Sequence, residues 1–228
     1  MTTPTLGTLT IGQAPRSDIT PILDAHLPAT LSRLHHGVLD GLSHTEIAAR
    51  FTPQAGNATL VSRLLDGTSV ILDKPAVRAV LQSKIDALEA AGCTVILILC
   101  TGEFEGLHTK RAWLVEPDRI VPPTASALAG ERQAGIIVPI ASQIESEFQK
   151  WAGLHHPPIC EAASPYVDDE QGTQLIQAAQ QLRERGAQLL ILDCMGFVER
   201  HRQIAQRASG LPVILSNALI ARLCAELF

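Results

Sequence analysis

The sequence of 228 residues contains no apolar run long enough to cross a lipid bilayer. Its longest apolar runs, Val95–Leu99 and Leu189–Leu192, have the length of β-strands. Residues Met1–Pro4 do not combine a basic start with an apolar stretch, so we expect no signal peptide. No block of Lys or Arg occurs and the formal net charge is −5, which argues against a nucleic-acid surface. These absences favour a cytoplasmic protein that binds neither membranes nor nucleic acid.

The sequence also lacks the cysteine patterns of disulfide frameworks and of structural zinc sites. Its five cysteines are an odd number, and no two of them form Cys-x-x-Cys. Its eight histidines show no zinc-ligand spacing, and the adjacent pairs His35–His36 and His155–His156 would point to opposite faces of a strand. We therefore expect reduced thiols and no bound metal.

The residues that are present predict a folded α/β protein. Apolar residues make up 46% of the chain and charged residues 18%, which is enough to bury a core. Thr5–Ile11 is typical of a first strand, and Ser43 with Glu46 has the spacing of a capping box that begins a short helix. A longer helix is expected from Asp73 to Gly92, and the apolar run after it indicates a strand buried on both faces of a parallel sheet.

The same order of helix, glycine and strand recurs 94 residues later. The pairs that keep this offset are Leu81 and Leu175, Leu88 and Leu182, Gly92 and Gly186, Cys100 and Cys194, Gly102 and Gly196, and the expected strands Ile120–Val121 and Ile214–Leu215. Any α/β protein repeats helix and strand, so a chance match is the alternative. The coincidence of helix end, strand, cysteine and glycine favours a duplicated unit.

A duplication predicts two similar parallel-sheet α/β lobes related by a pseudo-twofold axis, with a cleft between them. We expect residues 1–131 to form the first lobe, joined by a C-terminal helix at 217–228, and residues 132–216 to form the second. No Gly/Ser-rich or Pro-rich linker separates them.

Each half places a cysteine directly after its buried strand, where ligands bind to parallel α/β sheets. The residues that follow, Thr101 and Gly102 in the first half and Met195 and Gly196 in the second, supply backbone amides that can hold a carboxylate or an enolate-like oxygen. If the halves face each other, one thiolate can remove a proton from a carbon while the opposite thiol returns one, with no metal or organic cofactor. The alternative is that Cys100 and Cys194 are packed core residues, as free cysteines often are.

Two further candidates follow the first strand. Arg16 could bind a substrate carboxylate through both arms of its guanidinium, or it could pair with Asp18. Gln13 is a candidate polar contact to the substrate. His201 could tune a thiol or act as an acid or base, but a solvated helix face is the favoured interpretation.

Several motifs carry a family resemblance over essentially the whole chain. The two halves with one cysteine each resemble the aspartate/glutamate/hydantoin racemase superfamily. Four segments more narrowly resemble the AroM family: Leu9–Gly12, Glu116–Pro123, Leu192–Phe197 with Arg200–Arg202, and Leu215–Leu223.

The superfamily resemblance implies a cofactor-independent racemase with two thiols or, where one thiol is absent, a decarboxylase. The implied partner is a small substrate that bears a carboxylate or an imide, and a homo-oligomer is left open. Amino-acid racemases of this superfamily carry Cys-Asn-Thr and Cys-Thr-His, whereas this chain has Cys100-Thr101-Gly102 and Cys194-Met195-Gly196. Glutamate and aspartate are therefore not the expected substrates, and a binding protein without catalysis is the rival interpretation.

Overall fold

Two four-stranded parallel sheets form the framework of the chain. The computed structural model describes residues 4–167 and 171–228. Met1, Thr2 and Thr3, on which part of the expectation about a signal peptide rests, lie outside the described residues. The chain divides into a first unit, which ends at Pro117 and includes Ala221–Phe228, and a second unit, Asp118–Ile220.

The first unit contains a parallel sheet, an antiparallel hairpin and three helices. Its elements are β1 Thr5–Thr10, α1 Thr20–His26, β2 Ser32–Gly37, α2 His44–Phe51, β3 Thr59–Arg63, β4 Ser69–Asp73, α3 Lys74–Ala90, β5 Val95–Leu99 and β6 Trp113–Val115. The parallel sheet has the strand order β2-β1-β5-β6, and β3 pairs with β4 as the hairpin.

The second unit repeats this sheet without the hairpin. Its elements are α4 Pro117–Ala129, β7 Ala134–Val138, a short 3₁₀ turn Ala141–Gln143, α5 Ile144–Lys150, β8 Ile159–Ala162, α6 Thr173–Glu184, β9 Leu189–Leu192, α7 Glu199–Ser209, β10 Val213–Leu215 and α8 Ser216–Ala225, the last extending into the first unit. The strand order is β8-β7-β9-β10, so β7, β8, β9 and β10 take the places of β1, β2, β5 and β6. The prediction of two similar parallel-sheet α/β lobes is confirmed.

Apolar periodicity explains the matching helix–strand units. Helix α3 begins at an Asp73 cap that accepts the Ala76 N–H at 3.0 Å, and its buried residues are Val77, Leu81, Ile85 and Leu88. It ends before Gly92, where φ of +93° suits a residue without a side chain. Helix α6 buries an equivalent stripe and ends before Gly186 at φ +95°. Strands β5 and β9 are buried along their whole length, as apolar runs in parallel sheets are.

The prediction of a strand at Ile120–Val121 is wrong. Ile120–Val121 lie in helix α4, and the strand that corresponds to β10 is Trp113–Val115. The buried residues Val121, Ala125 and Ala129 recur every four positions, which is a helix period. Pro122 and Pro123 lie inside this helix, although proline is usually confined to the first turn. The contacts of the chain assign α4 largely to the second unit, whereas the sequence places residues up to 131 in the first lobe.

Two glycines occupy matching places in the central strands. A Cβ on Gly7 would lie 3.0 Å from the Cys93 sulfur and 3.2 Å from Leu88. A Cβ on Gly135 would lie 3.0 Å from Ala187 and 3.1 Å from Leu182. Residues 88 and 182, like 93 and 187, are 94 apart, so both lobes use a glycine to bring the helix end onto the central strand.

Replacing either central glycine with alanine should destabilise the fold by overpacking. We expect Gly7→Ala and Gly135→Ala each to cost about 1–3 kcal/mol in the free energy of unfolding. Gly153→Ala is the matched control, because its Cβ would lie 3.6 Å from the nearest atom, Ser126 Oγ. Urea midpoints measure the effect, and wild-type midpoints for both central variants would contradict this packing.

Candidate functional site

The first candidate thiol lies at the end of β5. Cys100 follows the last strand residue, Leu99, and is 8% exposed. The backbone N–H of Gly102 donates to its sulfur, with 3.3 Å between nitrogen and Sγ. A Cβ on Gly102 would lie 3.4 Å from that sulfur and 3.1 Å from Leu60, so glycine permits the close turn. Cys100 also belongs to a buried apolar cluster with Leu60 and Phe104.

The second candidate thiol repeats this geometry at the end of β9. The Asp193 N–H donates to the carbonyl of Ile137 at 2.9 Å and extends the strand pairing by one residue. Cys194 follows, is also 8% exposed, and accepts the N–H of Gly196 with 3.4 Å between nitrogen and Sγ. An N–H directed at sulfur favours the thiolate over the thiol, because it carries partial positive charge toward the developing negative charge.

The loop after Cys194 is held by the first residues of helix α8. Ser216 Oγ donates to the carbonyl of Leu192 at 2.9 Å. The side-chain amide of Asn217 donates to the carbonyls of Met195 and Phe197 at 3.0 and 2.5 Å. Asn217 is fully buried, so these bonds are shielded from water. Sequence reasoning did not assign this positioning function, although Ser216 and Asn217 lie in one of the AroM-like segments.

The other expected contact residues are placed as follows. Thr101 and Met195 lie directly after the two cysteines and are 8% and 2% exposed. The amides of Gly102 and Gly196, expected to face a substrate, are directed at the sulfur of their own cysteine.

His201 accepts a hydrogen bond at the start of helix α7. Its Nδ1 accepts the N–H of Val198 at 2.8 Å, and its ring packs edge-to-face on Phe197. This contact closes the first turn of α7.

Gln13 and Arg16 line a cavity of about 400 Å³ in the first unit. The Arg16 guanidinium donates to both carboxylate oxygens of Asp18 at 2.8 and 2.6 Å, so Asp18 occupies the fork that a substrate carboxylate would take. The Gln13 amide donates to the carbonyls of Leu39 and Leu42 and accepts the N–H of Leu65. Both side chains are engaged in holding the loops around β1.

A family model described as AroM protein matches residues 6–228. The chain belongs to the AroM family. A comparison with curated protein sequences finds no significant match.

Solved structures similar to this AroM-family chain share its fold at low sequence identity. An unliganded arylmalonate decarboxylase matches with a TM-score of 0.60 and 14% identity over 99% of this chain and 92% of the other. An allantoin racemase from Pseudomonas fluorescens matches with a TM-score of 0.62 and 15% identity over 98% and 89%. The glutamate racemase isoform RacE1 from Bacillus anthracis matches with a TM-score of 0.64 and 11% identity over 98% and 81%. The chain therefore has the fold of the aspartate/glutamate racemase superfamily.

A buried group of charges adjoins Cys194 in the AroM-family chain. The Asp193 carboxylate pairs with the Lys150 ammonium and accepts the Trp151 indole N–H at 3.2 Å. The same indole N–H donates to Glu147 at 2.7 Å. Burial, and then the negative charge of Asp193, raise the pKa of Glu147 to about 8. Sequence reasoning missed this group, because only Asp193 neighbours Cys194 along the chain, whereas Glu147, Lys150 and Trp151 are far from it.

The three remaining cysteines have raised thiol pKa values. All five cysteines are buried, and Cys160, Cys93 and Cys224 are 6%, 4% and 1% exposed against 8% for the two candidates. Burial raises the pKa of Cys93, raises that of Cys224 to about 11, and, together with the charge of Glu147, raises that of Cys160 to about 12. Each of these shifts disfavours a reactive thiolate.

The described part of the chain has neither a cluster of metal ligands nor a membrane-spanning helix. Among residues 4–167 and 171–228, no three His, Cys, Asp or Glu side chains come together as metal ligands. No helix within those ranges is long and apolar enough to cross a membrane.

The raised pKa of Glu147 predicts a specific pH dependence of stability. A glutamate in the unfolded chain titrates near 4.5, so between that pH and about 8 the folded state binds the proton more tightly. The contribution of Glu147 to the free energy of unfolding is fully present below pH 4.5 and is lost as the pH rises toward 8. Glu147→Gln cannot titrate but can still accept the Trp151 bond, so its stability relative to wild type should rise across this range.

Urea midpoints at several pH values measure this difference. Glu145→Gln, an exposed residue of the same helix, is the matched control and should track the wild type. A difference between Glu147→Gln and wild type that stays constant with pH would contradict the assignment.

Proposed function

We propose that this AroM-family chain is a cofactor-independent racemase or isomerase that moves a proton at a carbon next to a carboxylate or an imide. The observation that carries the proposal is the matched sulfur geometry. In two lobes of the same strand order, the cysteine after the third strand accepts the N–H of the glycine two residues later. Packing alone would not require a polar contact to sulfur at both places.

The proposed reaction assigns complementary functions to Cys100 and Cys194. The thiolate of one removes the α-proton of the substrate and becomes a thiol, and the electron pair passes into an enolate-like oxygen. The thiol of the other delivers its proton to the opposite face of that carbon and becomes the thiolate. The glycine N–H groups stabilise whichever sulfur is negative. The reaction requires the two sulfurs to approach one carbon from opposite faces.

The substrate class follows from the acidity that this chemistry needs. A carbon next to a carboxylate or an imide can pass negative charge to oxygen, and backbone amides in the loops after the cysteines are suited to receive it. Asp18 already occupies the Arg16 fork, so we assign recognition to the loops at Thr101 and Met195 in preference to Arg16. A small molecule in a reducing cytoplasm is the proposed partner, and self-association is left open.

A decarboxylase that uses one thiol is the alternative, and a difference between the two sites favours it. Cys100 lies in an apolar cluster with Leu60 and Phe104, whereas the Tyr166 hydroxyl lies 4.0 Å from the Cys194 sulfur. A chain with a single active thiol would therefore use Cys194. It would reprotonate the enediolate that remains when a substituted malonate loses carbon dioxide. A binding protein without catalysis is the second alternative.

Proton NMR in deuterated water should separate these functions. Amino acids, hydantoins and substituted malonates are incubated with wild type, Cys100→Ser, Cys194→Ser and the double variant. For the racemase, a substrate exchanges its α-proton with solvent, and either single serine variant abolishes racemisation because a hydroxyl is a far weaker base. Exchange from one enantiomer persists in each single variant. Cys160→Ser is the control and keeps the activity.

The other outcomes are equally distinct. Loss of carbon dioxide that only Cys194→Ser abolishes would establish the decarboxylase. Full activity of the double serine variant would remove the thiols from the mechanism. Binding of a compound without exchange or decarboxylation would favour the binding protein.

A further inference from the structure

The single tyrosine of the sequence, Tyr166, lies beside Cys194. It belongs to the loop after β8, where its own N–H donates to Ser164 Oγ at 3.2 Å. Its hydroxyl oxygen lies 4.0 Å from the Cys194 sulfur. The loop after β8 and the loop after β9 thus meet at this thiol.

Gly196 shows how closely the phenol is packed. A Cβ on Gly196 would lie 2.3 Å from the Tyr166 hydroxyl oxygen, 2.5 Å from Cζ and 2.6 Å from Cε1. Any side chain there would displace the ring, so glycine is required for space. The missing side chain lets both the Gly196 N–H and the Tyr166 hydroxyl approach the same sulfur.

The first lobe has a different neighbour at the corresponding place. The atoms nearest to a Cβ on Gly102, apart from the Cys100 sulfur, belong to Leu60 and Phe104. Phenylalanine has no hydroxyl, so the aromatic side chain there cannot donate to Cys100. The two thiols share the glycine N–H and differ in the tyrosine hydroxyl.

The geometry points to Tyr166 as a catalytic residue whose hydroxyl donates a hydrogen bond to the Cys194 sulfur and stabilises its thiolate. This inference rests on the proposed function of Cys194 in proton transfer. A hydrogen bond to an ionised acceptor is about twice as strong as a neutral one, and such bonds are often long in unliganded sites. Tyr166 keeps its proton throughout.

Titration of the tyrosine tests the contact directly. Since Tyr166 is the only tyrosine, the ultraviolet absorbance of tyrosinate reports its hydroxyl alone. In the wild type, the Cys194 thiolate and its hydrogen bond resist ionisation of the phenol. Cys194→Ser should therefore lower the midpoint of the tyrosine titration by about one pH unit, whereas Cys100→Ser should leave it unchanged. Equal midpoints in all three proteins would overturn the inference.

Alkylation of Cys194 tests the consequence for the thiol. Iodoacetamide modification of each cysteine is followed by mass spectrometry near neutral pH. Tyr166→Phe keeps the ring and should slow the modification of Cys194 about tenfold, while Cys100 serves as the internal reference. Gly196→Ala displaces the ring and should slow Cys194 similarly. In the double variant Tyr166→Phe/Gly196→Ala, Cys194 should be modified no more slowly than in either single variant, because both substitutions remove the same contact.

The failures of the two proposals are distinguishable. If Cys194 reacts before Cys93, Cys160 and Cys224 but equally fast in wild type and Tyr166→Phe, the tyrosine is only packed against the sulfur. The function of Cys194 then stands without it. If Cys194 in the wild type reacts no faster than those three, the proposed thiol chemistry fails, and the inference fails with it.

Discussion

The hydrogen bond from a glycine N–H to the sulfur two residues earlier determines the geometry of both strand ends. It forms at Gly102 and at Gly196, in loops that follow fully buried strands. The close turn needs a residue without a side chain, because Leu60 and Tyr166 occupy the space that a Cβ would enter. The sheets determine the backbone position of each cysteine, and the glycine N–H determines the position of its sulfur. The proposed chemistry depends on both.

Much of this arrangement could be predicted from the sequence because it follows from local patterns. Helix α3 and strand β5 follow from an Asp73 cap, a four-residue apolar spacing and a terminal Gly92. The offset of 94 residues brings in the matching helix, strand and cysteine of the second half. The paired cysteines are predictable for the same reason, since each lies within two residues of the end of its buried strand.

The remaining features depend on contacts between residues that are far apart in sequence. The strand expected at Ile120–Val121 was wrong because it was placed by the 94-residue offset, whereas β6 begins at Trp113 and β10 at Val213, 100 residues later. The hairpin of β3 and β4 was not anticipated, although Asp66–Gly67 at its turn is a hairpin signal. Tyr166 reaches Cys194, and Glu147 reaches Asp193, only through the fold. From the sequence alone, Arg16 could equally bind a ligand or Asp18. In the structure it forms an ion pair with Asp18.

The order in which iodoacetamide modifies the five cysteines of the folded wild-type protein tests the central claim most directly. Cys100 and Cys194 are each 8% exposed and the other three are 1–6% exposed, so the pH at which each thiol becomes reactive is measured together with the order. Peptide mass spectrometry after brief exposure near neutral pH should find Cys100 and Cys194 modified first. Cys93, Cys160 and Cys224 should remain largely unmodified, because burial raises the pKa of each. Equal modification of all five, or earlier modification of any of those three, would contradict the account.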